Sequence, residues 1–418
     1  MTPRTNQLAG LASAIAAVRP LDRPADQLLH AFFRQHPAMG QHDRAFVADG
    51  VFAYLRRRRS LEELAQTTRA SQLALAVVVR ELGIGLRELA SALSEADASW
   101  LRAFKARLAT PLAPAVAADL PDWLWARLGD AYGAAEREAL ARAWLSPAPL
   151  DLRVNPLKTD RDTARAALAA SGIAAEPTRY SPLGLRVAGR PALARHPLFT
   201  AGALEVQDES SQLVGYLVAP RRSDMVVDFC AGAGGKSLLL GALMRSQGRL
   251  YAFDTHDKRL ANLRPRLARS GLSNVHPQLI AHERDARIKR LAGKIDRVLV
   301  DAPCTGFGTL RRNPDLKWRQ PESAVAELTA KQRAILASAS TLVKVGGRLV
   351  YATCSVLTDE NEEVIAAFRA EHPRFAPVDA AAELARAGIA LDTGPTLKLF
   401  PHKHGCDGFF AAVLTRTA

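Results

Sequence analysis

From about residue 206 onward, the apolar residues come in short unbroken runs: MVVDF (225–229), RLYAFD (249–254), DRVLVD (296–301) and GRLVYATC (347–354). A strand with one solvated face alternates apolar and polar residues. Near-continuous runs are instead the mark of parallel strands covered on both faces. Glycine turns and stretches with helical spacing separate the runs, so the pattern predicts a parallel sheet flanked by helices. The N-terminal part is patterned differently. Phe46, Val47, Val51, Phe52 and Leu55 recur at three- and four-residue steps, as one apolar face of a helix requires. Residues 1–105 therefore read as all-helical. The run Arg56–Arg59 falls at a helix end, as a solvated last turn or a phosphate contact. A Pro- and Ala-rich stretch, TPLAPAVAADLPDW (110–123), breaks the region, and LSPAP (145–149) ends it.

Between these two parts, LDLRVN (150–155) alternates like a strand. RDTARAALAASG (161–172) reads as a helix stopped at Gly172, and further strands are expected near 184–188 and 203–207. The expected organisation is a helical domain over 1–145, a small α+β module over 146–205 and an α/β domain over 206–418.

The chain has 418 residues, enough for about two to four domains. With 48% aliphatic and aromatic types and 23% charged types, neither wholesale disorder nor a coiled-coil rod fits. No apolar run approaches the roughly 18 residues of a membrane span. The first twenty residues lack a compact basic start, and Gln, Ser and Arg interrupt their apolar part, so they read as a helix rather than a leader. A cytoplasmic protein that is not membrane-bound is expected. The net charge of +14 suits a polyanionic partner, and nucleic acid is the expected one; the excess is densest in 151–200.

The four cysteines, Cys230, Cys304, Cys354 and Cys406, form no CxxC pair, which speaks against disulfides and a zinc knuckle. His402, His404 and Cys406 have the composition of metal ligands. An HxHxC run on an apparent strand hairpin, without a second cluster, is more often structural, and no metal is expected.

Candidate chemistry begins at MVVDFCAGAGGKSLLL (225–240). A strand runs to Asp228, a glycine turn follows, and a helix opens near Lys236. Such a turn lets a ligand approach the backbone at a helix N-terminus. The next strand ends at Asp254, about 20 residues on, where a carboxylate can accept ribose hydroxyls. The turn alone fits a dinucleotide or S-adenosylmethionine equally well. GAGG in place of GxGxxG leans away from NAD, as does Asp228, which could hold a cationic amino group through the loop. Asp285, in HERDAR, could cap an adenine amino group or simply cap a helix.

Two further segments, VLVDAPCTGFGTLRRNPDLKW (298–318) and LVYATCSVLTDENEEV (349–364), each place a cysteine just beyond a strand end. Ligands and chemistry gather there in open α/β sheets. Beside a methyl donor, a thiolate can add to C6 of a cytosine and convert the ring to an enamine, whose C5 is then nucleophilic. Asp301, three residues before Cys304, could supply an acid near N3, and a base must remove the C5 proton before the thiolate leaves. Arg311, Arg312, Lys317 and Trp318 follow, a basic loop with an aromatic that suits a splayed RNA strand or a solvated surface.

In VQDESSQ (206–212), DFCAGAGGK (228–236), FD (253–254), DAPCTGFGTLRRNPDLKW (301–318), YATCS (351–355), ENEEV (360–364) and PHKHGCDGFF (401–410), the sequence resembles the RNA (cytosine-5) methyltransferases. It is most similar to their RsmB/Sun (Fmu) branch, which acts on small-subunit ribosomal RNA. The resemblance implies a Rossmann-like S-adenosylmethionine-dependent methyltransferase domain, preceded by an all-helical NusB-like domain and a small α+β RNA-binding module. It implies Cys354 as nucleophile, Cys304 as the aid to product release, and Asp301 in contact with both the cofactor region and the base. Cys230, Ala231, Gly232, Ala233, Gly234, Gly235 and Lys236, with Asp254, Asp285 and Asp301, would bind S-adenosylmethionine. The family usually has Pro in the glycine turn, where this chain has Ala233, so a looser loop is expected. The implied partner is RNA, ribosomal RNA first, and the implied state a monomer. The competing readings are a transfer-RNA cytosine-5 methyltransferase, an NAD-dependent oxidoreductase and a non-catalytic RNA-binding ribosome assembly factor.

Overall fold

The computed structural model describes residues 3–418, and the chain divides into two units. The first comprises residues up to Pro147 together with Thr309–Glu322, and the second Ala148–Gly308 with Ser323–Ala418.

In the first unit, helices Thr5–Val18, Ala25–Gln35, Gln41–Arg56, Arg58–Ala65, Ala70–Arg80 and Glu95–Arg107 enclose one apolar core. Leu11, Ile15, Tyr54, Leu55, Leu61 and Phe104 are fully buried in it. The opening residues are thus helical from Thr5. The helix Asp122–Trp144 follows and is interrupted at Gly133, whose φ of 75° is left-handed.

The segment Thr309–Glu322 packs within this helical unit. The Trp318 indole joins its core and donates to the Leu55 carbonyl at 2.8 Å. The ammonium of Lys317, 1% exposed, donates to the Arg56 carbonyl at 2.9 Å. Burial lowers the Lys317 pKa to about 7, against the opposing field of the fully buried Asp119 carboxylate. Lys317 and Trp318 are therefore structural, and the expectation that they meet an RNA strand is withdrawn. The four arginines at 56–59 are also internally engaged. Arg56 donates to the Arg311 carbonyl, Arg57 pairs with Glu81, Arg58 with Glu62, and Arg59 with Asp122.

The second unit holds two sheets. The smaller, ordered β2-β3-β1-β4 and wholly antiparallel, contains β1 (Leu150–Val154), β2 (Ala175–Pro177), β3 (Gly184–Val187) and β4 (Leu204–Val206). Its helix, Arg161–Ala170, starts at an Asp160 N-cap and ends before Gly172, whose φ is 75°. The Ala175–Pro177 strand is too short to show any alternation.

The larger sheet has β5 (Met225–Asp228), β6 (Arg249–Asp254), β7 (Val275–Leu279), β8 (Ile295–Asp301), β9 (Val343–Thr353), β10 (Phe375–Val378), β11 (Leu397–Leu399) and β12 (Phe409–Arg416). The order is β10-β12-β9-β8-β5-β6-β7, with β11 also on β12. Strands β5 to β9 are mutually parallel, and β12 is antiparallel to β9. Successive residues of one strand feed opposite layers. Val226, Leu299, Val350 and Ala352 pack in one buried cluster, and Val227, Val298, Val300, Leu349 and Tyr351 in another. Helices Glu209–Val218 and Gly235–Leu243 cover the first face, and Ser323–Ser340 and Glu362–Glu371 the second. This two-sided burial is why these strands read as continuous apolar runs.

The strand order reverses at β5, which lies between β6 and β8. A crevice at the carboxyl ends of such strands is where open α/β sheets bind ligands. His402 and His404 do not lie on a strand hairpin: they sit on the helical turn Pro401–His404, ahead of β12. Among the described residues, no group of three or more His, Cys, Asp or Glu is placed to hold a metal ion. No described helix is long and apolar enough to cross a membrane.

Candidate active site

Three strand ends converge on one cavity of about 510 Å³. Asp254 ends β6, Asp301 ends β8, Cys304 follows β8 and Cys354 follows β9, and all four line it. The glycine turn supplies its floor through Cys230, Ala231, Gly232, Ala233, Gly235 and Lys236. Two residues implied for cofactor binding do not line it. Gly234, with φ of 82°, turns toward the helix Asp257–Ser270, where a Cβ would come within 2.0 Å of Leu263. Glycine is required there for packing as well as for backbone conformation. The Asp285 carboxylate caps a short helical turn, accepting from the Ala281 and Arg287 backbone N–H groups at 2.9 Å each.

The turn is held from below. Ala231 N–H donates to the Phe253 carbonyl at 2.8 Å, and Gly232 N–H to Asp254 Oδ2 at 2.8 Å. The other Asp254 oxygen accepts from His256 N–H at 2.8 Å. Each carboxylate oxygen keeps a lone pair for a ligand hydroxyl. A Cβ at Gly232 would meet nothing within 4 Å, so open space lies beside this backbone. Where the family's proline is missing, Arg266 donates to the Ala233 carbonyl at 2.6 Å, and its guanidinium is fixed by Glu205 of β4 at 2.8 Å. Arg153 of β1 likewise donates to the Gly235 carbonyl at 2.6 Å. The small sheet therefore braces the cofactor-type turn. Nothing in the local sequence linked Arg153, Glu205 or Arg266 to that turn, because all three reach it from distant segments.

Asp228 does not reach the cavity. Its Oδ2 accepts from the Ser237 hydroxyl at 2.6 Å beneath the turn, and the residue is 1% exposed. The expected role in holding a ligand amino group is replaced by anchoring the following helix. Burial raises the Asp228 pKa to about 7, and the neighbouring Asp301 charge adds to the effect. Stability tied to its protonated form is complete below about pH 4 and is lost as pH rises through about 7. Asp228→Asn keeps an acceptor for Ser237 and removes the buried charge. Thermal unfolding is expected to show the variant stabilised by about 1–3 kcal/mol near pH 8, with little gain near pH 5. An equal effect at both pH values would contradict this assignment.

Lys236 donates to Asp301 Oδ2 at 2.8 Å. Burial opposes its charge, but the Asp301 carboxylate outweighs that and raises the Lys236 pKa. The site thus contains a buried ammonium–carboxylate pair with Asp301 open to the cavity. Beyond it, the Cys304 and Cys354 sulfurs lie 3.5 Å apart. The hydrogen bond with Cys354, together with burial, pushes the Cys304 thiol well above its ordinary pKa. Either sulfur can be the S–H donor in this contact. Around Cys354 the backbone is tight: Gly308 N–H donates to the Cys354 carbonyl at 2.9 Å, and a Cβ on Gly308 would lie 2.0 Å from the Gly408 carbonyl.

Residues 215–415 match the family model described as 16S rRNA methyltransferase RsmB/F, and 120–193 match the RsmF/B-like, ferredoxin-like domain. The chain is 37% identical over 302 residues to the Synechocystis protein named "Probable ribosomal RNA small subunit methyltransferase B", a match covering 71% of this chain and 66% of the relative. The chain thus spans just under two thirds of that relative's length. It is 35% identical over 320 residues to the "Ribosomal RNA small subunit methyltransferase B" of Sodalis glossinidius, covering 76% of this chain and 71% of the relative. The crystal structure of PH0851 shares the fold over 100% of both chains, with a TM-score of 0.79 at 24% identity. Together with the strand order and the paired cysteines, these likenesses place the chain in the RsmB/F family of 16S rRNA methyltransferases.

Proposed function

We propose that the protein methylates C5 of a cytosine in small-subunit ribosomal RNA, using S-adenosylmethionine and a covalent Cys354–C6 adduct. The observation that carries this reading is the pair of sulfurs 3.5 Å apart, opening into the same cavity as the glycine turn and Asp254. A single buried cysteine would be ordinary packing.

The cavity fits the cofactor: its floor is exposed backbone beside Gly232, and Asp254 faces it with spare acceptor capacity. Asp254 would take the ribose hydroxyls and the turn from Cys230 to Lys236 the remainder. S-adenosylmethionine supplies an electrophilic methyl group to the activated C5. Cys354 adds as thiolate to C6, forming the S–C6 bond. As negative charge builds on the ring, the Lys236 ammonium gives its proton to the Asp301 carboxylate, which passes it on to N3 and is left as a carboxylate beside a neutral amine. After methylation the C5 proton leaves to a base, and the C6–S bond breaks. The Cys304 S–H donates to the departing Cys354 sulfur and so makes it a better leaving group.

On this reading the helical domain (1–145) and the small α+β module (146–205) hold the RNA, and the protein works in the cytoplasm as a monomer. Bisulfite sequencing of total RNA from a strain lacking the gene tests the function, paired with purified protein added back to that RNA. Loss and restoration of one 16S cytosine mark is expected. A lost mark in transfer RNA would move the substrate, and an unchanged methylation map would overturn the assignment.

A further inference from the structure

Glu360 and Asn361, adjacent in the ENEEV segment, have no part in the chemistry described so far. Both are buried, and each grips the chain around one of the two cysteines. The Glu360 carboxylate accepts from Thr305 N–H at 2.8 Å and from the Thr305 hydroxyl at 2.6 Å, immediately after Cys304. It also accepts from Gln332 Nε2 at 3.0 Å, and the same amide donates to the Pro303 carbonyl, immediately before Cys304, at 2.9 Å. Both flanks of Cys304 are thus tied to Glu360, one directly and one through Gln332.

Asn361 does the same for Cys354. Its Oδ1 accepts from the Thr353 hydroxyl at 2.5 Å, and its Nδ2 donates to the Ser355 carbonyl at 3.1 Å. The two grips meet where the Thr305 and Ser355 hydroxyls lie 3.3 Å apart. The buried Tyr351 hydroxyl donates to the Glu360 carbonyl at 2.6 Å and fixes the turn between the grips. A two-residue unit with both side chains satisfied in this way has little freedom to shift.

We infer that Glu360 and Asn361 are positioning residues that divide control of the reaction. Asn361 aims Cys354 for attack on C6, and Glu360 holds Cys304 against the Cys354 sulfur for release. The inference rests on the covalent mechanism above. Its consequence is that the two neighbours have different kinetic signatures. Loosening Glu360 leaves attack intact and slows release, so adduct builds up. Loosening Asn361 slows attack, so turnover and adduct fall together. Displacements near 1 Å cost on the order of 10²-fold in rate.

The experiment follows labelled RNA on denaturing gels, with single-turnover methylation and S-adenosylhomocysteine affinity measured on the same protein. Glu360→Ala should accumulate adduct and lose about 10-fold or more in multiple turnover, with cofactor affinity unchanged. Glu360→Gln should recover turnover, because its amide can still accept from Thr305 N–H and donate to the Thr305 hydroxyl. A group acting through its charge would not be rescued in this way. Asn361→Ala should lower single-turnover methylation by about 10-fold or more without raising the adduct fraction. Should Glu360→Ala lose cofactor binding through misfolding, Thr305→Val decides, since it removes one bond to Glu360 at nearly constant volume; adduct is expected there too. If Cys304→Ala traps adduct while Glu360→Ala or Thr305→Val does not, the division of control is wrong and the covalent mechanism stands. If Cys354→Ala still methylates, the mechanism itself fails.

Discussion

Cys354→Ala is expected to abolish both methylation and covalent attachment to RNA, whereas Cys304→Ala is expected to leave protein trapped on methylated RNA. The reason lies in the 3.5 Å sulfur pair, in which either sulfur can donate. The bond to Cys354 and burial hold the Cys304 thiol well above its ordinary pKa, and the proposed mechanism gives it the donor role in release. Without Cys354 there is no enamine, and the uncatalysed methylation of C5 is negligible. The loss should reach several orders of magnitude, as removal of a covalent nucleophile typically does. Without Cys304, addition and methyl transfer proceed, but the departing sulfur lacks its donor. A retarded band on a denaturing gel reads this directly. The same band from Cys354→Ala, and none from Cys304→Ala, would reverse the two roles. Full activity in both variants would end the covalent mechanism.

Asp254→Ala should cost about 1–3 kcal/mol in affinity for S-adenosylmethionine and S-adenosylhomocysteine, through lost charge-assisted hydrogen bonds to the ribose. That is roughly 5- to 150-fold in Kd at 1.4 kcal/mol per decade. The loss should sit at the upper end of that range, because the carboxylate also fixes the turn through Gly232 N–H and His256 N–H. Calorimetry on the purified protein measures it. Unchanged affinity would remove Asp254 from the cofactor site, and tight NAD binding by the native protein would favour the oxidoreductase reading.

Much of the catalytic half was legible because its signals are local. Strands β5, β6, β8 and β9 are buried on both faces, and their apolar runs are visible without knowing their neighbours. The strand-end positions of Asp254, Asp301, Cys304 and Cys354 follow from those runs. What depends on distant partners was not legible. Lys317 and Trp318 look like a basic surface loop, and only the carbonyls of Leu55 and Arg56 make them interior residues. Asp228 looks like a ligand residue until the Ser237 hydroxyl claims it. Arg153 and Arg266 brace the glycine turn from segments far away in sequence, and no spacing rule connects them.

The position of Thr309–Glu322 also bears on how this chain is made. The helical unit is encoded mostly before residue 148, yet it includes a segment more than 160 residues further on. A nascent chain emerges at about 5–20 residues per second, so the early helices wait roughly 10–30 s for Lys317 and Trp318. Until then, the buried Asp119 has the Ser60 hydrogen bonds and the Arg57 charge but lacks the Lys317 ammonium, the largest charge acting on it in the finished protein. The N-terminal helices therefore finish folding as part of the larger chain, after the ribosome has already passed the codon for Cys304.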